Sequence, residues 1–154
     1  MTQLTFIWQR LLSAEGTTCP RCNATHRHLE AAIAKLRRVL GPLGIEPVLE
    51  LREIDEGAFR GRPLESNRIW IGGKPMEEWL GAGVGSSPCC SVCGDSPCRT
   101  MELDGAVVED IPETLILKAA LIAASGLIES AHRDEKGCCQ SDAGPGAGLP
   151  AGCA

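Results

Sequence analysis

The tetrapeptide Cys19-Pro20-Arg21-Cys22 constrains this chain more than any other feature, because it lies between a β-prone run and a helix. Thr5 to Leu11 is mostly apolar and β-prone, which predicts a first strand. From His28 the apolar positions Leu29, Ala32, Ile33, Leu36, Val39 and Leu40 recur at helical spacing, and Gly41-Pro42 ends the pattern. Strand, C-x-x-C and helix in that order is the context in which the motif is a redox pair. A helix N-terminus offers unpaired amides and a positive potential, and Arg21, His26 and Arg27 add charge, so the first thiol should ionise readily. On this reading Cys19 is the exposed attacking thiolate and Cys22, a turn further in, resolves the mixed disulfide. A metal clamp is the competing reading.

Beyond the helix, Ile45, Pro47, Leu49 and Leu51 alternate with charged residues as a strand does, and Pro47 puts it at a strand start or an edge. Asp55 to Pro63 reads as a charged loop with room for a helical turn. Ile69-Trp70-Ile71 is a short strand closed by Gly72-Gly73, and Pro75 opens a short helix carrying Trp79 and Leu80; Trp70 and Trp79 are expected in the core. Residues 81–97, rich in Gly, Pro and Cys, are expected to form an extended loop of functional kind. Asp104-Gly105 predicts a tight hairpin between 99–103 and 106–108, and the apolar stretch Pro112 to Ile128 a helix packed on a sheet. After Ala131 the composition turns to charge and then to Gly, Pro and Ala. The expected organisation is one domain over 1–130 and a flexible, cysteine-containing tail over 131–154.

The chain has nine cysteines, an odd number, and they are bunched rather than spread, unlike a disulfide scaffold. Thiols kept reduced in a cytosol are more often metal ligands or redox catalysts. Cys89, Cys90, Cys93 and Cys98 fall close together, and Cys90 with Cys93 makes a second C-x-x-C. Four thiolates close a tetrahedral zinc site. Adjacent cysteines rarely both bind one ion, so three from this stretch, or two shared with Cys19 and Cys22, is easier. Softness admits zinc, copper(I), an iron–sulfur cluster, or mercury and arsenic species. A structural disulfide is the plain alternative. His26 and His28 read as a solvated first turn rather than ligands. Cys138-Cys139 on the tail suits ligand hand-off, against an inert tail as the simpler reading. With 15 Lys and Arg against 20 Asp and Glu, the net charge of -5 repels phosphate backbones, so nucleic acid is not an expected partner. No apolar run reaches the roughly 18 residues a bilayer span needs, and the N-terminal segment lacks the order of a secretory signal, so a cytoplasmic protein is expected. The oligomeric state is not legible.

Taken with Ile69-Trp70-Ile71-Gly72-Gly73-Lys74-Pro75, the hairpin and the final helix, the order of elements resembles the thioredoxin fold. More closely, the chain resembles a prokaryotic thioredoxin-like family, a domain of unknown function. The resemblance rests on Thr18-Cys19-Pro20-Arg21-Cys22, Glu65-Ser66-Asn67, Glu78-Trp79-Leu80-Gly81 and Gly85-Ser86-Ser87-Pro88-Cys89-Cys90-Ser91-Val92-Cys93-Gly94-Asp95, and spans Thr5 to Ala124. It implies an α/β, thioredoxin-like domain: a central mixed β-sheet flanked by helices, with a Cys-rich loop inserted before the C-terminal hairpin. It also implies Cys19 and Cys22 as the redox pair. Thioredoxins carry a cis-proline before the strand facing that pair, whereas the comparable place here is Ser66-Asn67, a departure that favours ligand or cluster binding. The leading expectation is a thiol-disulfide oxidoreductase that needs no cofactor and works on a protein disulfide or with a thiol reductant. The alternative is a protein that holds a soft metal, a metalloid or an iron–sulfur cluster on the two cysteine groups.

Overall fold

The computed structural model describes residues 1–89 and 93–136, with 131–136 described by backbone alone. Its centre is β1 (Thr2–Leu11), which buries Leu4, Phe6 and Trp8 on one face and carries half-buried Thr5 and Ile7, with buried Leu11, on the other. A strand covered on both faces belongs inside a sheet. β2 (Ile45–Ile54) runs parallel along one side, from Thr2 opposite Ile45 to Leu11 opposite Ile54. β3 (Arg68–Ile71) runs antiparallel along the other, Phe6 opposite Ile71, and β4 (Lys74–Pro75) completes the order β2-β1-β3-β4. Pro47 therefore lies in an edge strand, the place its missing N–H allows.

The crossover from β1 to β2 is α1 (Pro20–Leu40), which packs on β2 and on α4 (Glu113–Lys136). Helix α1 starts well before its apolar periodicity does, because Cys19 caps it and Pro20 supplies a preset φ at the first helical position. It also fastens the segment leading into α4: Thr25 Oγ1 accepts the Ile111 N–H at 3.1 Å, and His28 Nδ1 donates to the Ile111 carbonyl at 2.8 Å. Helix α4 continues to Lys136, past the change of composition at 131. Short helices α2 (Glu56–Gly61) and α3 (Met76–Leu80) bury Phe59, and Met76 with Glu77. The architecture is α/β, a central mixed sheet flanked by helices. No helix among the described residues is long and apolar enough to cross a membrane.

A second sheet departs from the sequence reading. β5 (Gly83–Ser87), β6 (Cys98–Leu103) and β7 (Ala106–Val108) form an antiparallel order β5-β6-β7, so part of the expected loop over 81–97 is a strand. The sequence Gly-Val-Gly-Ser-Ser has little β-propensity, and its glycine is a packing device. A Cβ on Gly85 would collide with the Glu102 and Thr100 side chains of the neighbouring strand. The cysteine-rich segment thus joins β5 to β6 inside this sheet. The expected hairpin is present, with Asp104 (φ 52°) and Gly105 (φ 78°) both left-handed as a two-residue turn demands. Trp70 and Trp79 are only half-buried, with Arg68 and Lys74 cations over their rings; the core tryptophan is Trp8.

Candidate metal centre

Cys19 is the N-cap of α1, with extended backbone, and its sulfur accepts the Cys22 N–H at 3.5 Å. That geometry turns the Cys19 side chain back over the helix end and sends Cys22 into the protein, where its sulfur lies 3.8 Å from Ser66 Oγ. Ser66 is itself fixed by the Leu11 N–H at 2.9 Å, and no peptide bond among the described residues is cis. Both cysteines are 2% exposed. The Cys19 thiol is lowered from its ordinary value to about 5, first by a hydrogen bond from the Cys22 thiol; burial opposes this, and the Cys22 N–H, Cys93 and Arg21 reinforce it. The Cys22 thiol is pushed up, because its proton is shared with the Cys19 sulfur, and burial adds to the rise. Cys19 is thus the thiolate and Cys22 the thiol that supports it.

The residue between the two cysteines brings the second cluster to the first. Arg21 Nη1 donates to Ser87 Oγ at 2.7 Å, Nη2 donates to the Pro88 carbonyl at 2.8 Å, and the same guanidinium pairs with Glu109 at 3.0 Å. Glu109 also accepts the Ser87 hydroxyl at 3.2 Å, which closes a charged ring around the root of the cysteine loop. Such charge-assisted bonds carry direction as well as energy. The sequence reading gave Arg21 a through-space effect on Cys19; its contacts make it a clamp. A second polar strut lies under β6, where buried Arg99 donates twice to Glu77 Oε1, at 2.7 and 3.0 Å, and once to the Leu64 carbonyl at 2.7 Å.

The sulfurs of Cys19, Cys89, Cys93 and Cys98 come together, each within 4.8 Å of the others. Cys89 and Cys98 are joined by a disulfide across a Cα separation of 5.3 Å, and the Cys93 sulfur is 2.9 Å from that of Cys89 and 3.3 Å from that of Cys98. Cys93 and Cys98 are buried and Cys89 is partly so. A four-coordinate zinc with bonds of about 2.3 Å holds its sulfurs about 3.8 Å apart, so four thiolates on this scale suit one ion. The group is a cysteine cluster capable of coordinating a metal ion.

This arrangement overturns the thiol-disulfide oxidoreductase expected of Cys19 and Cys22. Cys19 is buried rather than exposed, and its sulfur belongs to a four-cysteine group that draws three members from the other cluster and leaves Cys22 out. The physical reason is the N-cap turn, which brings the Cys19 sulfur to the loop cysteines while Cys22, still hydrogen-bonded to it, sits deeper against Ser66. Cys90, Cys138 and Cys139 lie outside the described residues. Among the described residues, neither His26 nor His28 joins the cluster's ligand set. His26 stacks on Trp8 at 4.8 Å and pairs with Glu30, and His28 is engaged with Ile111.

Residues 4–120 match a family model described as Domain of unknown function (DUF2703). The chain belongs to this family. A relative in Archaeoglobus fulgidus, described as an uncharacterized protein, is 43% identical over 114 residues, which is 74% of this chain and 82% of the relative. The DUF2703 match takes in both cysteine groups of the centre and stops inside α4. No solved structure matches the chain.

Proposed function

We propose that this protein binds and handles a single thiophilic metal ion, zinc or a softer relative, on the sulfurs of Cys19, Cys89, Cys93 and Cys98. The observation that carries the reading is the convergence of these four sulfurs within 4.8 Å, from a helix cap and a distant loop. Four thiolates with no nitrogen or oxygen donor select soft and borderline ions over magnesium or calcium. Their closeness favours one ion over an iron–sulfur cluster, which spreads its thiolates over several irons. Cys19 is already held as thiolate, the form a metal requires. Cys89 and Cys98 must be reduced to take part, so the reading needs a reducing compartment such as the cytoplasm, with a thiol reductant as working partner. The strand order β2-β1-β3-β4, with β1 and β2 parallel and a C-x-x-C at the start of α1, supports a thioredoxin-like form of the α/β fold. On that view a redox scaffold has been turned to metal binding, and Ser66 stands near Cys22 where the superfamily has its proline.

The test is elemental analysis and an ultraviolet spectrum on anaerobically purified, thiol-reduced protein titrated with zinc or cadmium. An equimolar ion with sulfur-to-cadmium charge-transfer absorption, lost in Cys19→Ser and in Cys98→Ser but kept in Cys22→Ser, is the expected result. Reduced protein that retains no ion, or an ion indifferent to Cys19 and Cys98, would refute it.

A further inference from the structure

A four-cysteine site needs a route by which its ion enters and leaves, and one of these cysteines, Cys93, also lines a cavity. This cavity, of about 350 Å³, is lined by Leu11 and Phe59, by Glu56, Arg60 and Asp95, and by Cys93. The volume is at the lower end for small-ligand sites. Its lining has a particular order. Leu11 and Phe59 are 2% exposed and form an apolar floor, Cys93 contributes a member of the sulfur cluster, and charges of both signs stand at the rim. Arg60 is exposed and Glu56 half-exposed, and the two are 3.3 Å apart on one face of α2, so either group can turn to a newcomer at small cost.

We propose that this cavity is the exchange site for the bound ion, and that its ligand is a small thiol carrying both an amino group and a carboxylate. The inference rests on the metal-binding reading above and specifies how the ion enters and leaves. Thiolate-bound ions exchange by association, a new sulfur joining before an old one leaves, so the incoming thiol must reach the ion from a side the protein does not fill. Cys93 is the ligand that lines this cavity. The step balances: the ion–sulfur bond to Cys93 breaks as the bond to the incoming sulfur forms, and the proton of the incoming thiol passes to the departing Cys93 thiolate. No electrons are transferred. Arg60 suits the carboxylate of such a thiol, Glu56 and Asp95 suit its ammonium, and the apolar floor suits its methylene stem. A thiol without charged ends forgoes all but the last of these contacts.

The experiment uses the full chain, reduced and loaded with one equivalent of zinc, and follows transfer to a chromophoric chelator as L-cysteine is added, with 2-mercaptoethanol as the uncharged comparison. Loading is measured first, so a chain that holds no zinc is recognised before any thiol is added, and overturns the proposed function together with this inference. The expected result is that transfer saturates with L-cysteine and stays linear and slower with 2-mercaptoethanol. Arg60→Gln should raise the half-saturating L-cysteine concentration about threefold to tenfold, the scale of one charge-assisted contact. It should leave zinc stoichiometry and thiol-free release as they were. Equal and unsaturating rates with the two thiols, or an Arg60→Gln response identical to the parent on loaded protein, would overturn the exchange site and leave the metal centre standing.

Discussion

The two sheets of this molecule are held together by different physics. The four-stranded sheet has an apolar interior: Leu4, Phe6, Trp8, Ile69 and Ile71 are at most 2% exposed, with α1 and α4 packed on the sheet and on each other. The three-stranded sheet has glycine and serine in β5, and its buried positions include Arg99 and Thr100 as well as Cys98 and Met101. It is tied to the rest by the Arg99–Glu77 pair, by the Arg21 clamp and by the sulfurs. One sheet folds because water expels its side chains. The other is positioned by directed polar bonds, and the loop it carries holds the sulfurs, so that loop should answer to ion and redox state while the first sheet does not.

Four single variants and one double variant would sharpen or break that contrast. Cys98→Ser should lower zinc affinity by about two to three orders of magnitude, a quarter of the roughly 10–16 kcal/mol a structural zinc contributes, while leaving the melting of the reduced, ion-free protein nearly unchanged. Competition with a zinc-binding dye and thermal melts read the two arms. Phe6→Ala should do the reverse. It should cost about 3–5 kcal/mol of stability in denaturant melts, with zinc stoichiometry intact below the transition. Glu77→Gln leaves the buried Arg99 guanidinium without its counter-charge and should cost about 3 kcal/mol in the same melts, whereas Glu77→Leu with Arg99→Met should recover most of it. A failure of that rescue would mean the strut orders β6 in a way apolar packing cannot. Arg21→Gln should have the smallest effect, about a tenfold loss of zinc affinity at nearly constant melting temperature, since it loosens the loop without touching a ligand.

What could be read from the sequence follows the same division. The helix over Leu29 to Leu40, the strands about Phe6 and Ile71 and the Asp104-Gly105 hairpin announce themselves, because hydrophobic burial writes period and turn chemistry into the residues. β5 does not, since Gly83 and Gly85 fit by being small against β6, and smallness has no period. The apolar period misses the polar first turns of α1, whose start is marked instead by the C-x-x-C motif and set by a cysteine cap and a proline. Within the site, C-x-x-C pointed to the right helix end and to two thiols that do touch, but not to the three loop sulfurs that Cys19 also meets. Spacing shows that two sulfurs are near each other but not which way an N-cap turn sends each. The role of Arg21 had a signal, a cation between two cysteines, but its partners Ser87, Pro88 and Glu109 lie far along the chain and no local pattern names them.

The register of β5 against β6 bears on how fast the centre can load. Ser87 stands opposite Cys98, so the backbone ladder is already shut beneath the sulfurs. Bringing together the ends of a free segment of about ten residues costs about 2 kcal/mol in chain entropy. The ladder has met that cost before an ion arrives, and once Cys89 and Cys98 are reduced the ion turns side chains rather than gathering a wandering chain. Capture should therefore be limited by how quickly the ion sheds its water, not by a search on the protein's part, and so differ from peptides that fold around their metal.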